Sequence, residues 1–479
     1  MSTPRIGVDE WVEQVEGRRG PGGPLDPLRR AWDGVDPRWR WVLFFAIAAV
    51  FPFMTDSSFL IRVAVNVLLF AMLALGLNIT VGWAGLLDLG YVAFYGFGAY
   101  GYALVSSGQF DLHWPTIPTI IAVTLATALL GLLLGLPSWR LSGDYLAIVT
   151  LFFLQIFIEL TINLDRIEVP WSDSTINLTG GPNGIPGVDR MSILGFELND
   201  TQDYFYLLLI LLMLAVVALS FLNDSRTGRA WRAIREDPLA AGMMTVPVNR
   251  LKLMAFALGA GMAGLTGTVF AAVQVGVFPA NFEVTLLIMI YAALILGGAG
   301  TSAGPVLGAI IIASSPEILR TPDSARWLFY AALAAGIVVL VRPWWKTIAF
   351  VATTIAFGFA VHAIVGAVWE QGTTGTPAEG GVIASGISSW VVMPGEHRTT
   401  IGNYAFVALI AAVLALVRLR GWPRLALAVP TVYLAVFVWE NRLVFQPSIT
   451  RQLLFGAILV VLMVVRPHGL LGKPRVEIV

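Results

Sequence analysis

Residues 228–252 read GRAWRAIREDPLAAGMMTVPVNRLK and crowd Arg229, Arg232, Arg235, Glu236, Asp237, Arg250 and Lys252 into one short stretch. Apolar runs flank it on both sides, at 204–222 and 251–275. Each is close to the length of about 20 residues that a spanning helix needs. The charged stretch is therefore a loop between two membrane spans. Inside it, Arg229, Arg232 and the Arg235-Glu236 pair recur at helical spacing, while Trp231 and Ile234 share another face. Asp237 followed by Pro238 is the signature of an N-cap and a proline at the first helical position, so a second short helix starts there. Pro247 stops it before the next span. The sequence predicts a bent elbow, apolar on one side and basic on the other. Such an elbow either lies on anionic lipid or inserts into a groove of a cytoplasmic partner.

The rest of the chain agrees with a membrane setting. Of its 479 residues 57% are hydrophobic and 13% charged, with a mean hydropathy of +0.78, against about 25% charged in soluble domains. The fold class predicted is an all-α, polytopic helical bundle of about 12–14 spans. The segments are 41–54, 59–80, 84–106, 115–138, 144–163, 204–222, 251–275, 284–298, 303–315, 326–342, 347–369, 401–418, 424–440 and 450–466. Lys and Arg collect on the cytoplasmic side. The loop 164–203 has two Arg against seven acids and is assigned outside, whereas 223–252 has five Arg and one Lys against three acids and is assigned inside. The loop 370–400, with Glu370, Glu379 and Glu396 against Arg398, is again assigned outside. Both termini are then expected in the cytoplasm. Trp39, Trp41, Trp114, Trp139, Trp344 and Trp345 fall at predicted span ends and are read as interfacial anchors.

Four regions follow. Residues 1–40, with seven Arg and seven acids, form a polar cytoplasmic tail without the apolar core of a signal peptide. Residues 41–343 form a transmembrane core that includes the loop 223–252. Residues 446–479 supply a closing helix and a second tail. ARWLFYAALAAGIVVLVRP (325–343) and TRQLLFGAILVVLMVVRP (450–467) share an Arg, an apolar span and a terminal Val-Arg-Pro. If that repeat is a partial duplication, 344–445 is an insertion between two versions of one closing helix, with 370–400 as its outer loop.

Signatures of several enzyme classes are missing. There is no phosphate loop, no His-Glu-x-x-His and no Gly-x-Ser-x-Gly, and the four His are scattered without metal-ligand spacing. No cysteine is present. No cofactor or metal is expected, and a net charge of zero gives no reason to expect nucleic acid. GLNITVGWAGLLDLGYVAFYGFGAYGYALV (76–105) is more informative, because its glycines suit tight packing or a helix broken at membrane depth. Asn78, Gly85, Asp88 and Gly90 are candidates for that break or for the translocation path. Asp88 is either a structural acid capping a half-helix from Leu89 or a group on the path. Asp144, in RLSGDYLAIVTL (140–151), reads as an N-cap or first-turn acid and is a further path candidate. LTGGPNGIPG (178–187) is turn-forming. Gly180, Gly181, Pro182, Asn183 and Gly184 there form either an ordered outer docking surface or a loose connector.

Taken in order, GLNITVGWAGLLDLGYVAFYGFGAY, RLSGDYLAIVTL, LTGGPNGI, GRAWRAIREDPLAA, RLKLMAFALGAGMAGLTGTVF, LGGAGTSAGPVLGA and RPHGLLG resemble the branched-chain amino acid ABC transporter permeases of the LivM type, within the LivH/LivM family. The resemblance covers roughly 59–343 and 446–473. It implies an importer without a catalytic site of its own in the cell membrane. An extracytoplasmic binding protein delivers a hydrophobic amino acid, a second homologous permease shares the path, and two cytoplasmic ATPases drive it. Arg229, Arg232, Arg235, Glu236, Asp237, Pro238, Ala240 and Ala241 would then form the loop that sits in the ATPase cleft. The chain departs from the family pattern at Thr245, where relatives commonly carry Gly, and at Pro238, where they carry Glu. The block 344–445 has no recognised counterpart. Urea or short amides are an alternative cargo, and a secondary transporter working alone is an alternative class. The latter calls for several paired intramembrane charges, and Asp88 is the one deep acid evident in the sequence.

Overall fold

The computed structural model describes residues 36–55, 57–141, 143–168, 175–193, 195–318, 322–341, 344–376, 386–419, 421–443, 456 and 469–472. Most of the N-terminal tail and nearly all of the 450–467 half of the repeat lie outside them. Nine helices among the described residues are long and apolar enough to cross a membrane. Helix α1 (Pro37–Val50) runs into a 3-10 turn at Phe51–Phe53, and α2 is Ser58–Leu77. Then come α3 (Tyr91–Val105), α4 (Thr116–Gly135), α5 (Asp144–Asn163) and α6 (Thr201–Asp224). The elbow forms α7 (Arg226–Glu236) and α8 (Pro238–Met243). Next are α9 (Val248–Gln274), α10 (Val284–Gly297), α11 (Ala303–Ile318) and α12 (Pro322–Leu340). Finally α13 (Trp344–Val368), α14 (Arg398–Arg418) and α15 (Trp422–Val438) follow.

Nine is fewer than the expected number because α1, α3 and α11 have 14, 15 and 16 residues, only Phe329–Val338 of α12 forms a sufficiently apolar stretch, and the segment 450–466 lies almost wholly outside the described residues. Helices α3 and α11 are short where protein rather than lipid surrounds them. The segment expected at 84–106 differs most. Helix α2 continues through a wide π-helical turn at Asn78–Trp83, residues 84–90 leave the helix, and α3 starts only at Tyr91. The break is buried at Ala84, Leu86 and Asp88.

Helix α9 lies at the centre, packed against α2, α3 and α4. Its glycines allow that closeness. A Cβ on Gly98 of α3 would sit 2.2 Å from the carbonyl oxygen of Gly264, so the two backbones touch. Without a hydrophobic driving force between helices in lipid, this backbone-level packing is what holds them together. One core cluster runs from Ile61 to Ile312. A second joins Ile387, Val391, Met393 and Val436 to Phe329, Tyr330 and Leu333 of α12. Trp344 and Trp345 at the start of α13 and Trp422 at the start of α15 are exposed.

Candidate functional site

The elbow is built as its sequence indicates, with one side chain turned elsewhere. Ser225 caps α7, its hydroxyl accepting the Gly228 N–H at 3.3 Å. Trp231 and Ile234 are buried, as the shared face requires. The Trp231 indole donates to the Leu251 carbonyl at 2.8 Å and stacks on Trp83, ring centroids 6.3 Å apart. Asp237 caps α8, its Oδ1 accepting the N–H groups of Leu239 at 2.8 Å and Ala240 at 3.1 Å. Pro238 occupies the first helical position and needs no partner there. Ala241 is buried beneath α8, while Pro238 and Ala240 are exposed.

The basic groups divide. Arg229 donates to the Asp224 carbonyl at 2.7 Å and Arg232 to that of Asn223 at 3.3 Å. Both thereby cover the carbonyl end of α6, where cations are favoured. Arg229, Arg232, Glu236 and Asp237 remain exposed. Arg235 instead turns inward, is only partly exposed, and donates to the Gly82 carbonyl inside the π-helical turn. Its stem lies over Gly85, whose φ is +69°; a Cβ there would come within 2.8 Å of Arg235 Cγ. Only glycine satisfies both demands. At the tip of the elbow Leu239, Met243 and Met244 are 81%, 87% and 77% exposed.

Under the elbow lies the broken helix. Asn78 is fully buried, with Oδ1 accepting the Gly300 N–H at 2.7 Å and Nδ2 donating to the Thr301 carbonyl at 2.9 Å. Trp83 donates to the Gly300 carbonyl at 3.2 Å. The π-helical turn, the loop between α10 and α11, and the elbow thus meet at one node. The closing Gly-Leu-Leu turn joins them, with Leu470 and Leu471 donating to the carbonyls of Leu296 and Gly297.

Asp88 is 1% exposed. Its Oδ1 accepts the Gly90 N–H at 3.0 Å, and its carbonyl accepts from the Tyr291 hydroxyl at 2.7 Å. It caps the turn before α3, two residues later than the start expected at Leu89. Asp144 stands exposed in the first turn of α5. The structure does not gather Asn78, Asp88 and Asp144 into one cluster.

On the opposite side of the bundle, Gly180, Gly181 and Gly184 adopt φ of +73°, +58° and +62° around the turn of Pro182 and Asn183. The loop is ordered. Asn177 Oδ1 accepts the Gly180 N–H at 2.7 Å, and Ile185–Pro186 pairs antiparallel with Gly276–Val277. Nearby, His113 contacts Asp189 at 2.5 Å and Asp111 at 3.1 Å. These two partners, Asp189 first, raise the His113 pKa above its usual value.

Sequence reading missed a second deep acid. Glu440 is completely buried in a π-helical turn, Trp439–Leu443, at the end of α15. Arg326 of α12 meets it at 3.1 Å, and the Tyr330 hydroxyl donates to it at 3.1 Å. Arg398 donates to the Glu440 carbonyl at 3.2 Å and to Asn441 at 2.9 Å. The Arg that opens ARWLFYAALAAGIVVLVRP was the available signal, since an arginine leading an apolar span needs a partner.

Comparison with known proteins agrees with this architecture. The high-affinity branched-chain amino acid transport system permease protein LivM of Escherichia coli K12 is 35% identical over 326 residues, 63% of this chain and 72% of that protein. LivH of the same organism is 22% identical over 280 residues, 57% of this chain and 88% of the relative. The autoinducer 2 import system permease protein LsrC of Salmonella typhimurium is 31% identical over 171 residues, 34% of this chain and 47% of LsrC. No solved structure matches the chain. Residues 59–341 match the family model of the permease component of branched-chain amino acid transport systems, and to that family the chain belongs.

Proposed function

We propose that this permease component moves leucine, isoleucine or valine across the cell membrane as one of two homologous permease subunits, and that α7–α8 is its grip on a cytoplasmic ATPase. As a family member it is a multi-pass transmembrane subunit of an ABC transport system and is not itself catalytic. Each permease would engage one ATPase, and an extracytoplasmic binding protein would load the ordered 178–187 loop from outside. Both termini and the elbow lie in the cytoplasm in this reading, as the Lys and Arg distribution requires. The block 344–445 is a peripheral addition to the bundle.

The observation that carries the reading is the tip of the elbow. Leu239, Met243 and Met244 project into solvent from a short helix that is capped by Asp237 and seated on buried Ala241. Exposed apolar clusters rimmed by charge mark binding surfaces, and flexible Met side chains suit a groove that changes shape. ATP-driven closure of that groove would move the elbow and the helices joined to it.

The test is co-purification of the complete transporter after Leu239→Asp with Met243→Asp. ATPase subunits are expected to dissociate and substrate-stimulated hydrolysis to be lost, while the permease still inserts. Unchanged association would remove the elbow as the docking element.

A further inference from the structure

A span that faces lipid shows it apolar side chains, as several helices of this bundle do. Helix α4 exposes Ile121, Leu125 and Leu129, and α6 exposes Ile210, Leu214 and Val217. Helix α5 differs. Its Leu154 and Phe157 are buried in the core, where α5 packs against α3. The opposite face carries Gln155, Glu159 and Asn163, one helical turn apart and all exposed. With Phe152, Ile156 and Leu160 they line a groove of about 280 Å³. The three polar groups form a continuous ladder. Gln155 Nε2 donates to Glu159 Oε1 at 3.4 Å, and Asn163 Nδ2 donates to the Glu159 carbonyl at 2.8 Å and to Oε2 at 3.3 Å.

Position along the helix argues against a simple reach to the surface. At 1.5 Å per residue, Glu159 lies about 6 Å and Gln155 about 12 Å inside the C-terminal end of α5. Helix side chains lean toward the N-terminus, so both lean away from the nearer end. Their stems are too short to lift the polar head to the interface as Lys and Arg do. An amide and a carboxylate so placed are not solvated by hydrocarbon. The outer half of this face, from Gln155 to Asn163, therefore calls for water or protein rather than lipid.

We infer that this face of α5 is the chain's wall of the translocation path, turned toward the second permease subunit, and that Glu159 receives the ammonium group of the passing amino acid. The inference rests on the two-permease reading above. A zwitterion with a branched aliphatic side chain needs an acceptor for its ammonium and an apolar surface beside it. Glu159 with Gln155 and Asn163 supplies the first; Phe152, Ile156 and Leu160 supply the second. One solvated carboxylate, rather than a closed cage, holds the cargo loosely enough to release it.

The chain has no cysteine, so a single introduced thiol is unique within it. In the complete transporter in liposomes, Gln155→Cys is expected to react with a charged thiosulfonate reagent. Leu125→Cys and Val217→Cys, on the apolar faces, are expected to stay unmodified. Glu159→Gln should lower ATP-driven leucine uptake about tenfold or more, the size of one lost charge-assisted hydrogen bond, with ATPase association unchanged. Glu159→Asp should recover much of the uptake. Labelling at 155 as slow as at 125 and 217 would place lipid on this face and overturn the path assignment. Undiminished uptake by Glu159→Gln would overturn the ammonium role. A wild-type assembly that imports no amino acid would instead overturn the permease reading, while the labelling contrast would remain readable.

Discussion

Thr245 shows how one residue can carry strain inside the elbow. It follows α8 with φ of +63°, where a β-branched side chain is an outlier, and its hydroxyl donates to the Met244 carbonyl at 2.7 Å. The family-like glycine would adopt this angle freely. Thr245→Gly is therefore expected to stabilise the chain by about 1 kcal/mol, read as a raised thermal midpoint in detergent. A lowered midpoint would mean that the threonine is held there by contacts that outweigh its backbone. His113 makes a second residue-scale prediction. Its bonds to Asp189 and Asp111 favour the charged ring and raise its pKa. Their stabilisation is present in full below the ordinary value near 6.5 and is lost as pH rises through the raised one. The gap in thermal midpoint between wild type and His113→Ala should accordingly be widest in acid and close with rising pH. A gap independent of pH would count against the ion pairs.

Within the elbow, local chemistry was legible and long-range chemistry was not. Asp237-Pro238 announces a capped helix through groups one to three residues apart, and the cap forms as read. The burial of Trp231 and Ile234 followed from helical spacing. Arg235 looked like a member of the exposed basic face, yet it reaches back 153 residues to Gly82. Nothing within seven or eight residues of Arg235 encodes that pairing, because it depends on how α2 breaks. Arg235 and the Trp231–Trp83 stack tie the elbow to the turn that holds Asn78. The two arginines should therefore fail differently. Arg232→Glu is expected to weaken ATPase co-purification. Arg235→Ala should leave the ATPases bound but lower ATP-driven uptake about tenfold, the scale of a hydrogen bond from a charged donor. Loss of association in both variants would make Arg235 a docking residue after all.

At the scale of the whole molecule, the described residues hold two hydrophobic clusters with different glue. The first, spanning Ile61 to Ile312, relies on backbone approach between glycine-bearing helices. The second gathers around Val391, Val436 and Phe437 and is closed by a buried ion pair, Arg326 2% and Glu440 0% exposed at their side chains. The length of the apolar runs located the helices of both, because each span is written in its own twenty residues. The pair that joins α12 to the end of α15 is 114 residues apart in sequence and left no periodic trace. Trp439 stacks on Phe329 with ring centroids 4.3 Å apart, so the same junction is sealed by packing as well as charge. Removing one member of a buried pair strands the other and costs about 3–5 kcal/mol, whereas replacing both with apolar groups costs far less. Glu440→Ala is thus expected to loosen the second cluster selectively. Hydrogen exchange should accelerate in 386–393 and 398–405 but stay unchanged in 65–77, and Arg326→Met with Glu440→Leu should restore most of the protection. Equal acceleration in both regions would mean that the two clusters unfold as one cooperative unit, and that the Arg326–Glu440 pair holds up the whole bundle.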